Sequence, residues 1–302
     1  MANVANKKFV SLRKIINVKP MKNILVAIDF SRCSIHALEY AIVLANRIKA
    51  EITMVWVDNT QSDESVYISS VENSRKEITS SFEEIISKYD ERLEHGSLNY
   101  KIRKGKVHIE VANQAKYSDS MLVVAGTHGV TGFEEFWIGS NAYRIVTYAP
   151  CPVITVRTGY EFKPDINKIV LPIDSTLETR QKVPFSAKIA AYFGAEIHIL
   201  SLYSTTIKAV RYKVDNYSKQ VQKYLEEENV KHVMAEMEAE NITRSTIQYA
   251  TDNDVDIIAI MTEQETTTAN LFLGAYAQQM VNHSPIPVLS VHAQEFIRIG
   301  SR

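Results

Sequence analysis

The stretch Lys22–Val57 reads KNILVAIDFSRCSIHALEYAIVLANRIKAEITMVWV, and Asn167–Leu202 reads NKIVLPIDSTLETRQKVPFSAKIAAYFGAEIHILSL. The two align without a gap at an offset of 145 residues. Ile24, Ile28 and Asp29 fall on Ile169, Ile173 and Asp174, and Ala50-Glu51-Ile52 falls on Ala195-Glu196-Ile197. Further along, APCPVITV at 149–156 returns as SPIPVLSV at 284–291, an offset of 135. The second copy has therefore lost 145 − 135 = 10 residues between these anchors. The chain is a tandem duplication.

Each copy has one grammar. Short apolar runs at Ile24–Ile28, Ile52–Val57, Met121–Ala125 and Val153–Val156 alternate with longer helical patterns. In the first helical pattern, Ile35, Leu38, Ala41, Ile42, Ala45 and Ile48 share one face. Val71, Ile78, Phe82, Ile85, Tyr89 and Leu93 do so in the second. Val210, Val214, Tyr217, Val221 and Leu225 repeat that pattern in the second copy. Runs that are apolar on both faces and separated by helices predict a parallel sheet covered on both sides. The fold class is α/β, with two tandem doubly wound domains. They span 21–158 and 165–295 and follow a basic tail at 1–20.

Composition narrows the function classes. Of 302 residues, 45% are apolar and 23% charged, the profile of a globular protein. The formal net charge of −1 supplies no field that would draw the chain to nucleic acid. No apolar run reaches the roughly 20 residues of a membrane span. The two cysteines, Cys33 and Cys151, form no metal or disulfide pattern and fit a reducing, cytoplasmic compartment. Residues 1–20 carry five basic and no acidic side chains. They read as a solvated tail or an upstream extension of the start, with Met21 opening the folded part.

Chemistry concentrates in GTHGVTGFEEFWIGSNA, Gly126–Ala142, which holds four of the ten glycines. It follows the run MLVVA directly. In doubly wound sheets, ligands bind beyond the carboxyl ends of strands. Gly126 and Gly129 are expected to take backbone angles closed to other residues and to expose N–H groups. Gly139-Ser140 precedes a new helical pattern, with Ser140 as the expected cap and a positive helix end that suits phosphate. Turn-making glycines remain the alternative, and the loop lacks the Gly-Lys-Ser/Thr ending of a Walker A motif.

These residues resemble the universal stress protein family in its tandem two-domain form. The resemblance rests on VAIDFS at Val26–Ser31, VVAGTHG at Val123–Gly129, PCPVITV at Pro150–Val156, and the Gly-2x-Gly-9x-Gly-Ser pattern at 126, 129, 139 and 140. It covers Met21–Val291 and implies a five-stranded parallel sheet per domain. That glycine pattern marks members that bind ATP. The resemblance places Asp29 at the nucleoside, Ala27 in the adenine pocket and the Val57 backbone against adenine. Gly126, Thr127, His128, Gly129, Gly139, Ser140 and Asn141 surround ribose and phosphates. On physical grounds an Asp at a strand end suits a ribose hydroxyl, or a cap on the first helix, or both.

In the second copy Gly126 becomes Met261, Gly129 becomes Gln264 and Ser140 becomes Ala275, while Gly139 persists as Gly274. Glu263 and Glu265 would repel a polyphosphate. ATP is thus expected in the first domain alone. No nucleophile, base and orienting group come together in the sequence, so the expectation is a regulatory nucleotide binder rather than an enzyme. A slow ATPase and a nucleotide-free interaction module are the alternatives. His128 reads as a ligand contact, Cys33 as an ordinary thiol, and Glu134 with Glu135 as solvated loop or as Mg²⁺ partners beside ATP. The family's dimers pair through their last strands. Val153–Val156 is therefore expected beside Val288–Val291 as an intrachain pseudo-dimer, with a homodimer as a further level of assembly.

Overall fold

The computed structural model describes residues 22–59, 68–127, 139–161, 163–262, 264–267 and 270–293. The tail at 1–20 and Met21 lie outside the described residues. The first half runs β1 (Lys22–Ala27), α1 (Arg32–Ile48), β2 (Ala50–Asp58), α2 (Ile68–Tyr89), β3 (Leu98–Lys104), α3 (Val107–Tyr117), β4 (Ser120–Gly126), α4 (Ser140–Tyr148) and β5 (Val153–Val156). The second half runs β6 (Lys168–Ile173), α5 (Val183–Phe193), β7 (Glu196–Tyr203), α6 (Lys208–Glu227), β8 (His232–Glu238), α7 (Ile242–Asp252) and β9 (Ile257–Thr262). It then adds β10 (Gln264–Thr267) and β11 (Asn270–Leu273) before α8 (Ala275–His283) and β12 (Val288–His292).

Strand order is β3-β2-β1-β4-β5-β12-β9-β6-β7-β8 in one ten-stranded sheet. Within each half every pairing of this sheet is parallel, and β10 and β11 form a separate antiparallel pair. The halves meet where β5 and β12 run antiparallel, Leu289 opposite Ile154 and Ser290 opposite Val153. The expected pairing of the last strands is thus present. It removes two open edges, and all four of these residues are fully buried. Around the seam, the Tyr160 hydroxyl donates to the Asp256 carbonyl at 3.4 Å, and the Lys22 ammonium lies 4.2 Å from the Tyr192 ring centre.

The alternation of side chains builds the core in two layers. In β1, Ile24 and Val26 point toward α1 and α2 while Leu25 points toward α3 and α4, and all three are fully buried. Fully burying such a side chain stabilises by about 1.5–3 kcal/mol. Ser31 starts α1 by accepting the Ser34 N–H at 3.2 Å, and left-handed Lys49 ends it. The matching segment of the second half starts differently. Residues Leu177–Arg180 form a 3-10 turn and α5 begins only at Val183. Pro184 lacks the N–H that a helix starting earlier would bond to Arg180, so it sits in the first turn of α5 instead.

Candidate functional site

In each half the connections leave the sheet in opposite directions between its first and fourth strands, which opens a cleft beyond their carboxyl ends. In the first half this cleft lies between the segment after β1 and the segment after β4. Ala27, Asp29, Val57, Gly126, Thr127, Gly139, Ser140 and Asn141 all line it. His128 and Gly129, also expected there, lie outside the described residues, as do Glu134 and Glu135. Trp56, Val107, Val111 and Ile145 supply apolar wall that the motif reading did not single out. Val111 and Ile145 are inward-facing helix residues, so periodicity could have found them. Trp56 has no such signal.

Asp29 is held by its own turn. Its Oδ1 accepts the Ser31 N–H at 3.0 Å. The Ser34 hydroxyl accepts the Asp29 N–H at 3.3 Å and donates to the Ser31 carbonyl at 3.0 Å. Ser31, not Asp29, caps α1. Asp29 lines the cleft, and its Oδ2 has no hydrogen bond among the described residues. Phe30 adopts φ 62°, a left-handed angle for a bulky residue, and packs edge-on to Phe82 at 5.1 Å. That strain sits one residue from the carboxylate.

The glycines work differently from the sequence reading. Neither Gly126 nor Gly139 uses a left-handed backbone angle; Gly139 has φ −58° and ψ 143°. Gly126 is required by packing. A Cβ there would lie 2.7 Å from Cys33 Sγ, 2.8 Å from the Cys33 carbonyl oxygen and 2.9 Å from its carbon. The absent side chain lets the first turn of α1 sit directly on β4. Cys33 is accordingly buried, with Sγ 3.7 Å from the Val156 carbonyl, and is no exposed thiol. Burial likewise pushes the Cys151 thiol up to about 12, with the Asp119 charge adding to it.

Ser140 is not the cap of α4. Gly139 occupies that position, no side chain caps the helix, and Ser140 is its first residue. The Gly139 N–H donates to the Thr127 carbonyl at 2.7 Å and the Thr127 N–H to the Val156 carbonyl at 3.0 Å. The two ends of the 128–138 segment are thereby tied together, and the uncapped start of α4 faces the cleft. Its N–H groups and positive dipole end can receive an anion.

The second half keeps the turn and places larger side chains at the matching positions. Asp174 Oδ1 accepts the Thr176 N–H at 2.9 Å and its hydroxyl at 2.5 Å, and the Asp174 N–H reaches the Thr179 hydroxyl at 3.3 Å. Gly274 caps α8 at φ −56° and ψ 151°, close to the angles of Gly139. However, Met261 stands where Gly126 lies, and Tyr276 where Asn141 lies. The Tyr276 hydroxyl is buried, and desolvation followed by the nearby Asp174 charge raises its pKa. The stretch read as a degraded phosphate loop contains an antiparallel pair, β10 with β11, for which the motif reading made no provision. The Leu273 N–H donates to the Tyr143 hydroxyl of α4 at 3.2 Å. Behind Asp174 lies fully buried Lys182, whose ammonium donates to the Thr179 carbonyl at 2.5 Å. Burial lowers its pKa to about 8, against a smaller opposing pull from Asp174.

Comparison with known proteins places this geometry. The model of the universal stress protein family matches residues 20–157 and 165–292. A protein of Staphylococcus epidermidis ATCC 35984 named as a universal stress protein is 32% identical over 148 residues, 45% of this chain and 84% of that one. A protein of the same name from Staphylococcus aureus USA300 matches to the same extent. The crystal structure of a universal stress protein from Archaeoglobus fulgidus superposes with a TM-score of 0.70 at 13% identity, over 90% of this chain and 98% of that chain. At that identity the likeness speaks for the fold. Among the described residues, no helix is long and apolar enough to cross a membrane.

Proposed function

We propose that this chain, which belongs to the universal stress protein family, is a stress-response regulator that holds one ATP in its first domain with little or no turnover. The observation that carries the reading is the convergence of eight motif residues on one cleft in the first half, set against Met261 and Tyr276 at the matching positions of the second. In this reading the base lies against Trp56, Val57, Val107 and Val111, and Asp29 Oδ2 accepts a ribose hydroxyl. The start of α4 and the Gly126–Asn141 loop take the phosphates. Mg²⁺ travels with the ATP phosphates, since among the described residues no three His, Cys, Asp or Glu side chains converge. In this reading the role is binding rather than catalysis, since no base, nucleophile and orienting group come together among the described residues of the cleft.

Isothermal titration of ATP into nucleotide-stripped protein tests this. One site per chain is the expected result. Two sites would mean that the second cleft opens, and none would return the molecule to the class of interaction modules. Phosphate release above that of a Gly139→Asp variant would make it a slow ATPase.

A further inference from the structure

A second cavity adjoins the nucleotide cleft on the α3 side and shares Val107 and Asn141 with it. Three cations from three separate elements line it: Lys104 at the end of β3, Lys106 at the start of α3, and Arg144 on α4. None of the three makes an ion pair with a described carboxylate. Two acidic groups lie close by. Asp58 neighbours Lys104 across the β2–β3 ladder, and Glu110 folds back against Gly105, its Oε1 3.3 Å from where a Cβ would stand. His108 also lines the cavity. It is 8% exposed, packs on the Tyr148 ring at 4.9 Å, and has no hydrogen-bond partner among the described residues. Burial first, and then the Arg144 and Lys106 charges, lower its pKa. No side chain caps α3. Positive charge, an open helix start and an imidazole with no hydrogen-bond partner among the described residues thus converge on one cavity.

The second half shows what this region looks like without such a role. By strand register and helix start, Lys104 corresponds to Glu238, Lys106 to Asn241, His108 to Thr243 and Arg144 to Gln279. Glu238 is paired with Arg211, and the Asn241 side chain caps α7 by accepting the Arg244 N–H at 2.9 Å. At the three corresponding positions the second half carries no cation, and its helix start is closed by Asn241; Arg244 lies in the matching cavity instead.

We infer that the Lys106–Arg144 cavity is a second phosphate subsite of the first domain. It takes a phosphate group of the bound nucleotide at a position other than the one held by the start of α4. The ligand class is an adenine nucleotide phosphorylated at two separate positions, one group on each side of Asn141. This inference rests on the nucleotide reading of the adjoining cleft.

The test compares AMP with adenosine 3′,5′-bisphosphate on the full chain and on Lys106→Asn/Arg144→Gln, which installs the residues of the second half at two exposed positions. The native chain is expected to bind the bisphosphate about tenfold more tightly than AMP, the scale of a charge-assisted contact. In the double variant the preference disappears while AMP affinity holds. Equal affinities in the native chain, or equal losses for both nucleotides in the variant, would overturn the subsite. If neither nucleotide binds the native chain, the reading of the adjoining cleft fails, and inorganic pyrophosphate then decides the subsite alone. Followed by NMR on the His108 ring, pyrophosphate should raise the imidazole pKa in the native chain and not in the double variant. An unmoved His108 would sink the inference.

Discussion

The two halves carry the same turn after their first strand and do opposite things with it. In both, an aspartate Oδ1 grips the backbone two residues on, and a hydroxyl five residues on accepts the aspartate's own N–H. In both, a glycine with nearly the same angles starts the helix after the fourth strand. The divergence lies in the neighbours. Gly126 admits the backbone of Cys33, and α1 runs unbroken from Arg32. Its counterpart Met261 is a buried side chain, and the matching segment opens as a 3-10 turn before Pro184 allows an α-helix. Asn141 lines the cleft, and its counterpart Tyr276 has a buried hydroxyl. A duplicated fold can therefore keep its backbone plan while the side chains at matching positions diverge.

The sharpest way to break this comparison is to give the first half a side chain where it has none. Gly126→Ala drives a methyl group into the backbone of Cys33, which cannot move like a side-chain tip. A loss of about 3 kcal/mol in chemical denaturation is expected, at the upper end of overpacking costs. A loss under about 0.5 kcal/mol, the range of neutral surface changes, would mean that α1 is not tied to β4.

The second half has a buried lysine where the first has Ala37. The folded pKa of Lys182 lies near 8, below its ordinary 10.5. Below pH 8 the ammonium is charged in both states and its burial costs about 3 kcal/mol at 1.36 kcal/mol per unit. Between pH 8 and 10.5 the unfolded chain binds more protons, so this group makes stability rise with pH. Lys182→Met should stabilise by about 2 kcal/mol at pH 7, once the lost bonds to Thr179 are counted. That gain should shrink as pH rises through this window. A gain independent of pH would show that packing rather than desolvation is responsible.

The matched pair Gly139→Asp and Gly274→Asp separates site from scaffold. Aspartate suits a helix cap at these angles, so both variants should fold. Gly139→Asp should weaken ATP binding at least about tenfold by placing a carboxylate against phosphate, with Gly274→Asp unchanged. Equal effects would erase the distinction between the halves. The smallest effect belongs to the α1 cap. Ser31→Ala should cost about 1 kcal/mol in thermal or chemical unfolding, the usual worth of such a bond.

Much of this was legible from residues alone. The 145-residue offset announced two copies, alternating periodicity announced strands and helices, and the apolar Val153–Val156 and Val288–Val291 runs announced the seam. Eight of the ten residues expected to contact a nucleotide line one cleft; the other two, His128 and Gly129, lie outside the described residues. The Ser140 cap was misjudged because Gly139 and Ser140 both suit a helix start and only geometry separates them. The late start of α5 was visible in Pro184 but not read there. The β10–β11 pair was masked by a reading that looked for a lost phosphate loop.

What could be read from the chain is what depends on neighbours in sequence: hydrophobic period and the repeat itself. These are local because a residue's backbone angles and its facing are set within a few positions. What awaited the fold is set by contacts between distant residues. Gly126 owes its identity to Cys33, the Lys106 and Arg144 charges share one cavity although 38 residues separate them, and Lys182 is buried only because a second layer covers it. Packing density and desolvation act through space, and a side chain's distance from water has no counterpart in its distance along the chain.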